Sequence, residues 1–329
     1  MRFALRAIVI VVVLGSFQTA ALHTAGAQGY PTRAITLIVP YPAGGPSDTL
    51  ARIMSEPLKA ALGQSVVVEN VTGAGGGIGT GRVAKADPDG YTIGIGHNQT
   101  HVINGVNPNL AYDVVKDFEP VTLIADTPIW IVARKNLPAN DIKEFIAWLK
   151  QPDTKASSGA VGVGGPGDIA VAAFQRQTDT RFPLVPYRGG APVLQDLLSG
   201  QIDFTFGQAA TYVPYIRNGQ LKALAVLTPK RWWAAPDVPT LDEAGIKDIY
   251  AGFWHGIWVP KGTPKPIVDK LNAAFSQTLT DATVQKRFQD IGQEIFPASQ
   301  QSPAALAAKQ KAEIERWWPV IKAAGIKIE

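Results

Sequence analysis

Three of the four histidines and a set of glycine-rich loops are the features of this 329-residue sequence whose residue types and spacing could do chemistry. His97 and His101 stand four apart, a spacing that can set two imidazoles on one helical face as metal ligands. No third ligand follows nearby, the segment reads as a loop, and the chain has no cysteine, so no metal is expected. His255 reads as part of a strand. Neither Gly-x-Ser-x-Gly nor His-Glu-x-x-His occurs, which removes the familiar routes to a serine or zinc hydrolase, and no enzymatic activity is expected. The glycine-rich loops invite a nucleotide, yet the phosphate-loop pattern is absent. The one dinucleotide-like run, Gly79-Thr80-Gly81-Arg82-Val83-Ala84, is displaced from the strand before it and has no acid at a strand end about 20 residues on. It reads as turn glycines between strand and helix, and no cofactor is expected.

What remains is a set of loops rich in backbone donors: Ala43-Gly44-Gly45, 96–100, 162–167 and Gly189-Gly190. Glycine lets a ligand approach main-chain N–H groups closely. Unpaired N–H groups at a helix start, with the helix dipole behind them, favour an anion. Four such loops along the chain suit a small anion held in a cleft.

The elements that must position these loops alternate between strand and helix. An apolar β-branched run at 35–39 ends at Pro40 and reads as a buried strand. A helix is expected over 48–62, with Leu50, Ile53, Met54, Leu58 and Leu62 on one stripe and Ser47 or Asp48 as N-cap. Strand 66–71, helix 78–86 and strand 91–95 follow, and further on helix 169–177, strand 184–186, helix 191–198, strand 202–206, a loop at 207–211, helix 212–218 and strand 223–227. Such alternation argues for a parallel sheet with crossover helices, in which ligands sit beyond the carboxyl ends of the strands. Two similar segments, 127–133 and 253–259, read as strands crossing between two domains. The expected division is 28–128 with 253–329 as domain 1 and 129–252 as an inserted domain 2.

Arg2 and Arg6 precede the apolar run 8–14, and Ala25-Gly26-Ala27 offers a small-x-small cleavage site, so residues 1–27 read as a signal peptide. The run is shorter than the roughly 20 residues a membrane span needs, so no stable membrane insertion is expected. Cleavage near Ala27 lowers the formal charge from +4 to +2. With no Lys/Arg-rich run, nucleic acid is not an expected partner. Without cysteine there is neither a disulfide nor an acylated anchor, and a freely diffusing periplasmic monomer is expected.

Several ordered motifs resemble one family. They are Tyr30-Pro31-Thr32-Arg33, Val39 through Gly45 with Asp48 and Ala51-Arg52, Val67-Val68-Glu69-Asn70 with Gly73-Ala74-Gly75-Gly76, Ala86-Asp87-Pro88-Asp89-Gly90-Tyr91-Thr92, Val185 through Pro192, Asp237-Val238-Pro239-Thr240 and Lys261-Gly262-Thr263-Pro264. Together they resemble the receptors of tripartite tricarboxylate transporters, the Bordetella-uptake-gene type of periplasmic binding protein. The resemblance implies an α/β, two-lobed periplasmic-binding-protein (Venus-flytrap, type II) fold that closes on a small aliphatic or aromatic mono- or dicarboxylate and presents it to integral-membrane transporter subunits. A ligand sensor that shows its closed form to a membrane kinase is the alternative. Carried across by position, Tyr41, Ala43, Gly44, Gly45 and Asp48 form a first-domain clamp with His97, Asn98, Gln99 and Thr100 beside it. Gly162, Gly164, Gly165, Asp168, Tyr187, Gly189, Gly190, Gln208 and Ala209 form the facing wall. Where the family commonly shows Gly-x-Gly-Ser-x-x-His-Leu-Ala, this chain has Gly162-Val163-Gly164-Gly165-Pro166-Gly167-Asp168-Ile169-Ala170. A hydroxyl donor is lost there, and an acid that can begin its helix replaces the histidine.

Overall fold

The apolar run at 35–39 forms strand β1 (Ile35–Val39) because alternate side chains have a packed layer to enter on each face. In this computed structural model, which describes residues 29–161 and 165–323, Leu37 and Val39 pack under helices α1 (Pro46–Leu62) and a later α8 (Lys265–Thr280). Ile38 points the other way, into a cluster with Trp254, Trp258 and Leu306. Strand β2 (Val66–Asn70), helix α2 (Gly77–Ala84), strand β3 (Thr92–His97) and the single turn α3 (Asn98–His101) complete the first run of the chain. β2, β1 and β3 pair in parallel.

The next strand, β4 (Phe118–Arg134), is 17 residues long and belongs to two sheets. Up to Pro128 it pairs antiparallel with β9 (Gly252–Pro260). From Ile129 onward it pairs antiparallel with β7 (Phe204–Gln208) and β8 (Leu221–Val226). The second sheet also holds β5 (Ser158–Val161) and β6 (Leu184–Tyr187), both parallel in the order β7-β5-β6. Helices α4 (Ile142–Leu149) and α5 (Pro166–Thr178) bury Phe145 and Phe174 on one face of this sheet. α6 (Gly190–Ser199) and α7 (Ala209–Arg217) bury Val193, Leu197, Tyr212 and Val213 on the other. After β9 and α8, the chain adds α9 (Ala282–Asp290), the short β10 (Glu294–Ile295) against β4, and α10 (Pro303–Ala323) on the first sheet.

The sheets are thus mixed rather than wholly parallel: strands joined by helices are parallel, whereas the shared β4 and β9 run against their neighbours. Ser47 and Asp48 do not cap α1. Gly45 is the N-cap and Pro46 the first helical residue, a position where a missing N–H costs nothing. The expected loops at 96–100 and 207–211 are not loops either. Strand β3 runs through His97 directly into α3, whose N-cap is His97 itself, and β7 runs into α7 with Gln208 as the junction. The glycines of the dinucleotide-like run lie inside α2 rather than in a turn; a side chain at Gly79 would collide with the backbone oxygen of Val71. The proposed signal peptide and residues 162–164 lie outside the described residues.

Candidate functional site

A cavity of about 620 Å³ lies between the two sheets, and its wall is built at the carboxyl ends of parallel strands from both. After β1 come Tyr41, Pro42 and Gly45 to Ser47; after β2, Thr72 to Gly76; at the end of β3, His97 and Gln99. The second sheet supplies Val161 at the end of β5 and Gly167 after it, Tyr187 at the end of β6 with Arg188 and Gly190 after it, and Phe206 to Gln208 of β7 with Thr211 and Tyr212 of α7. The first turns of four helices, α1, α5, α6 and α7, therefore open onto one space. Their dipoles and unpaired N–H groups give it a positive field with little side-chain charge. Arg188 is exposed, lines the cavity and has no ion-pair partner among the described residues.

The two lobes touch across this space. A Cβ at Gly189 would sit 2.8 Å from Pro42 Cδ, one at Gly165 would sit 2.6 Å from Gln99 Oε1, and one at Gly190 would lie 3.6 Å from Pro46 Cδ. Real Cβ atoms do not approach so closely as the first two, so the glycines are what lets the walls meet.

At the inner end of the site three imidazoles are buried. His97 stacks on Tyr41 at 4.8 Å and meets Phe253 and His255 edge-on at 5.2 and 5.4 Å. Its Nδ1 accepts the Gln99 N–H at 3.1 Å, so in the neutral ring the proton sits on Nε2. Burial, and after it the neighbouring His255 and His101, hold His97 well below the usual histidine range. Burial likewise lowers His255 to about 3 and His101 to about 3. His255 Nε2 shares a hydrogen bond of 3.1 Å with Ser47 Oγ. His101 turns away, stacked on Trp258 at 3.7 Å and bonded through Nδ1 to Thr100 Oγ1. His97 and His101 therefore do not converge, and no group of three His, Cys, Asp or Glu placed to hold a metal occurs among the described residues.

The residues expected at the site divide into three sets. Tyr41, Gly45, His97, Gln99, Tyr187, Gly190 and Gln208 line the cavity. Gly165 and Gly189 stand at the seam between the lobes rather than on the cavity wall. Ala43, Gly44, Asp48, Asn98, Thr100, Asp168 and Ala209 are set back from the lining. The Gly44 N–H is taken by Asp48 Oδ2 at 2.9 Å, and Asp48 also accepts from Arg52 and Asn70. Burial pushes Asp48 up, but bonds from Arg52, Gly44 and Asn70 outweigh it and hold the carboxyl below its ordinary value. This carboxylate braces the β1–α1 turn. Asn98 donates to the Gly252 carbonyl at 2.9 Å, and Thr100 ties His97 into its cap. Asp168 is the third helical residue of α5, inside the first turn. Gly162 and Gly164 lie outside the described residues.

With this geometry established, sequence comparison decides the family. The model of the tripartite tricarboxylate transporter family receptor (TctC) matches residues 50–326. The chain belongs to this receptor family. Its members are binding proteins, not enzymes. The receptor is 41% identical over 298 residues to a UPF0065 protein encoded in the TAR-I ttuE-ttuC' intergenic region of Agrobacterium vitis, covering 91% of this chain and 86% of that one. Its structure is similar to that of the periplasmic binding protein BugD, with a TM-score of 0.86 and 39% identity over 91% of this chain and 99% of that chain. It is also similar to MatC from Rhodopseudomonas palustris with bound malate, with a TM-score of 0.83 and 38% identity over 89% and 100% of the two chains. The α/β periplasmic-binding-protein fold expected from the sequence is thereby shown. No helix among the described residues is long and apolar enough to cross a membrane.

Sequence reasoning missed part of this receptor's wall. The turn at 72–76 follows β2 as the other loops follow their strands, a placement that was enough to nominate it. Its backbone has Gly73 at φ 125°, Gly75 at 55° and Gly76 at 88°, and a Cβ on Gly76 would meet Thr100 and Tyr41. Phe206, Tyr212 and Phe253 carried no signal, because they lie on strands and a helix rather than in glycine-rich loops.

Proposed function

We propose that this receptor, after loss of residues 1–27, captures a small carboxylate in the periplasm and delivers it to the integral-membrane subunits of a tripartite tricarboxylate transporter. The observation that carries the reading is the convergence of four helix N-termini from two lobes on one cavity. Fixed backbone dipoles favour an anion without the desolvation cost of buried cationic side chains. The malate bound by MatC supports the same ligand class. We further propose that 129–252 moves as one lobe on the crossings of β4 and β9, so that ligand favours the closed form by its differential affinity.

Titration of the mature receptor with carboxylates is expected to raise its unfolding free energy by about 2.7 kcal/mol at 100 times the Kd, and to reduce its radius of gyration in small-angle scattering. Trp130, Trp254 and Trp258 are buried on the crossing strands, so the intrinsic fluorescence should change saturably. A carboxylate that binds at micromolar concentration yet leaves both scattering and fluorescence unchanged means either that the hinge is misplaced or that the free receptor is already closed, and a closed ligand-free crystal structure separates the two. Arg188→Ala should weaken binding by no more than roughly tenfold, since an exposed, screened cation contributes about 1 kcal/mol. Complete loss of calorimetric binding in that variant refutes the backbone-dipole account.

A further inference from the structure

The hydrogen-bond chain in the cavity wall fixes the direction of one amide. The Gly75 carbonyl can only accept, so its 3.2 Å contact with Asn104 Nδ2 turns Asn104 Oδ1 toward Gln99. Gln99 Nε2 must then donate to that oxygen, at 2.8 Å, which leaves Gln99 Oε1 as the outer end. Gln99 is 3% exposed and lines the cavity, and its Oε1 is buried without a hydrogen-bond partner among the described residues. That oxygen faces the second lobe, against Gly165. From the second lobe, Gln208 lines the same space and likewise has a buried, unpartnered Oε1.

An ionised carboxylate is an acceptor only, so it cannot satisfy Gln99 Oε1. That acceptor is already buried, and a ligand with no donor leaves it unpaired, which is costly. The body of the ligand is constrained as well. Tyr41, Tyr187, Phe206, Tyr212 and Phe253 line the cavity, whose volume of about 620 Å³ falls in the range that buries drug-sized molecules against apolar and aromatic walls.

We propose that the cleft selects a carboxylate with a ring-sized apolar body and a hydroxyl or amino group that donates to Gln99 Oε1. Gln99 is then a specificity-determining residue. The proposal rests on the carboxylate reading above and sharpens it. Its test is calorimetric titration with two matched pairs, 4-hydroxybenzoate against benzoate and malate against succinate, on the mature receptor and on Gln99→Leu. The hydroxylated member of each pair is expected to bind about tenfold or more tightly, the aromatic pair more tightly than the aliphatic one, and Gln99→Leu should bring each ratio close to one. If Gln99→Leu does not fold, Gln99→Met keeps the side chain's length and serves instead. Equal affinity within each pair for the native chain, or a preference that survives loss of the amide, overturns the role of Gln99. Aliphatic binding without aromatic binding overturns the ring-sized body. Binding of none of the four defeats the carboxylate reading and this proposal with it, whereas the other failures leave that reading intact.

Discussion

Gly189→Val is expected to lower carboxylate affinity about 100-fold while leaving a folded, monomer-sized receptor. Gly189 has φ 167°, extended backbone that any residue adopts, so the substitution imposes no conformational strain of its own. What it adds is volume at the seam: even its Cβ would stand 2.8 Å from Pro42 Cδ and 3.1 Å from Pro42 Cγ. A proline ring has no rotamer to move aside, and Pro42 is held in its turn by the Gly45 N–H bonded to its carbonyl at 3.3 Å. In an open form the same side chain would face solvent, so the penalty falls on the closed state alone. A 100-fold loss corresponds to about 2.7 kcal/mol, and a packing clash of 1–3 kcal/mol is the ordinary cost of overpacking. Gly189→Ala should show a smaller loss of the same kind. The measurements are calorimetry and scattering in saturating ligand, where Gly189→Val should keep the larger radius of gyration. Affinity within threefold of the native chain would show that the Gly189–Pro42 contact is not part of the bound state.

The strand at 35–39 could be read because its five residues carry the whole signal locally: an unbroken apolar run closed by Pro40. The start of α1 could not. Serine and aspartate are the usual N-caps, but Ser47 is committed to His255, 208 positions away, and Asp48 to the turn before it and to Asn70. Long-range partners claimed both side chains, and no local pattern records that. The same limit explains β7 and α7. Gly207 reads as a loop glycine, yet a Cβ there would meet the Tyr212 hydroxyl, so it serves close packing where strand passes directly into helix. The segments nominated for anion binding do follow parallel strands and do reach the cavity at Gly45, Gln99, Gly167 and Gly190. The aromatic residues that shape the rest of the space come from strand interiors, where nothing local separates a cavity-lining Phe206 from a core phenylalanine such as Phe204.

The stability of the receptor should fall steeply as pH drops from about 6.5 to 4.5, and the buried histidines set both the sign and the window. In the unfolded chain each imidazole takes a proton near pH 6.5. In the folded chain burial holds His101 and His255 near 3 and His97 well below its ordinary value. Below pH 6.5 the unfolded state therefore binds protons that the folded state refuses. The stabilisation is complete above 6.5 and is lost as pH falls, by roughly 1.4 kcal/mol per pH unit for each histidine. Asp126 works in the opposite sense. Burial raises it to about 6, against the pull of Lys309 and the Thr127 N–H, so between 6 and 3.8 the folded state gains a proton that the unfolded state lacks. Three histidines against one carboxyl leave a net slope of roughly 2.7 kcal/mol per pH unit below about 6. Over one and a half units that removes about 4 kcal/mol, a large share of the 5–15 kcal/mol typical of a folded domain. Asp48 and Asp113, whose pKa values are lowered, lose their contributions only below about 3.8, outside this window. Chemical denaturation at pH 7.5, 6.0, 5.25 and 4.5 measures the slope directly. His101→Leu, which replaces an imidazole bonded to Thr100 and stacked on Trp258, should flatten it by about half, whatever the variant's stability at pH 7.5, and Asp126→Asn should steepen it. A native profile flat from pH 7.5 to 4.5 would mean that the imidazoles are reached by protons in the folded state.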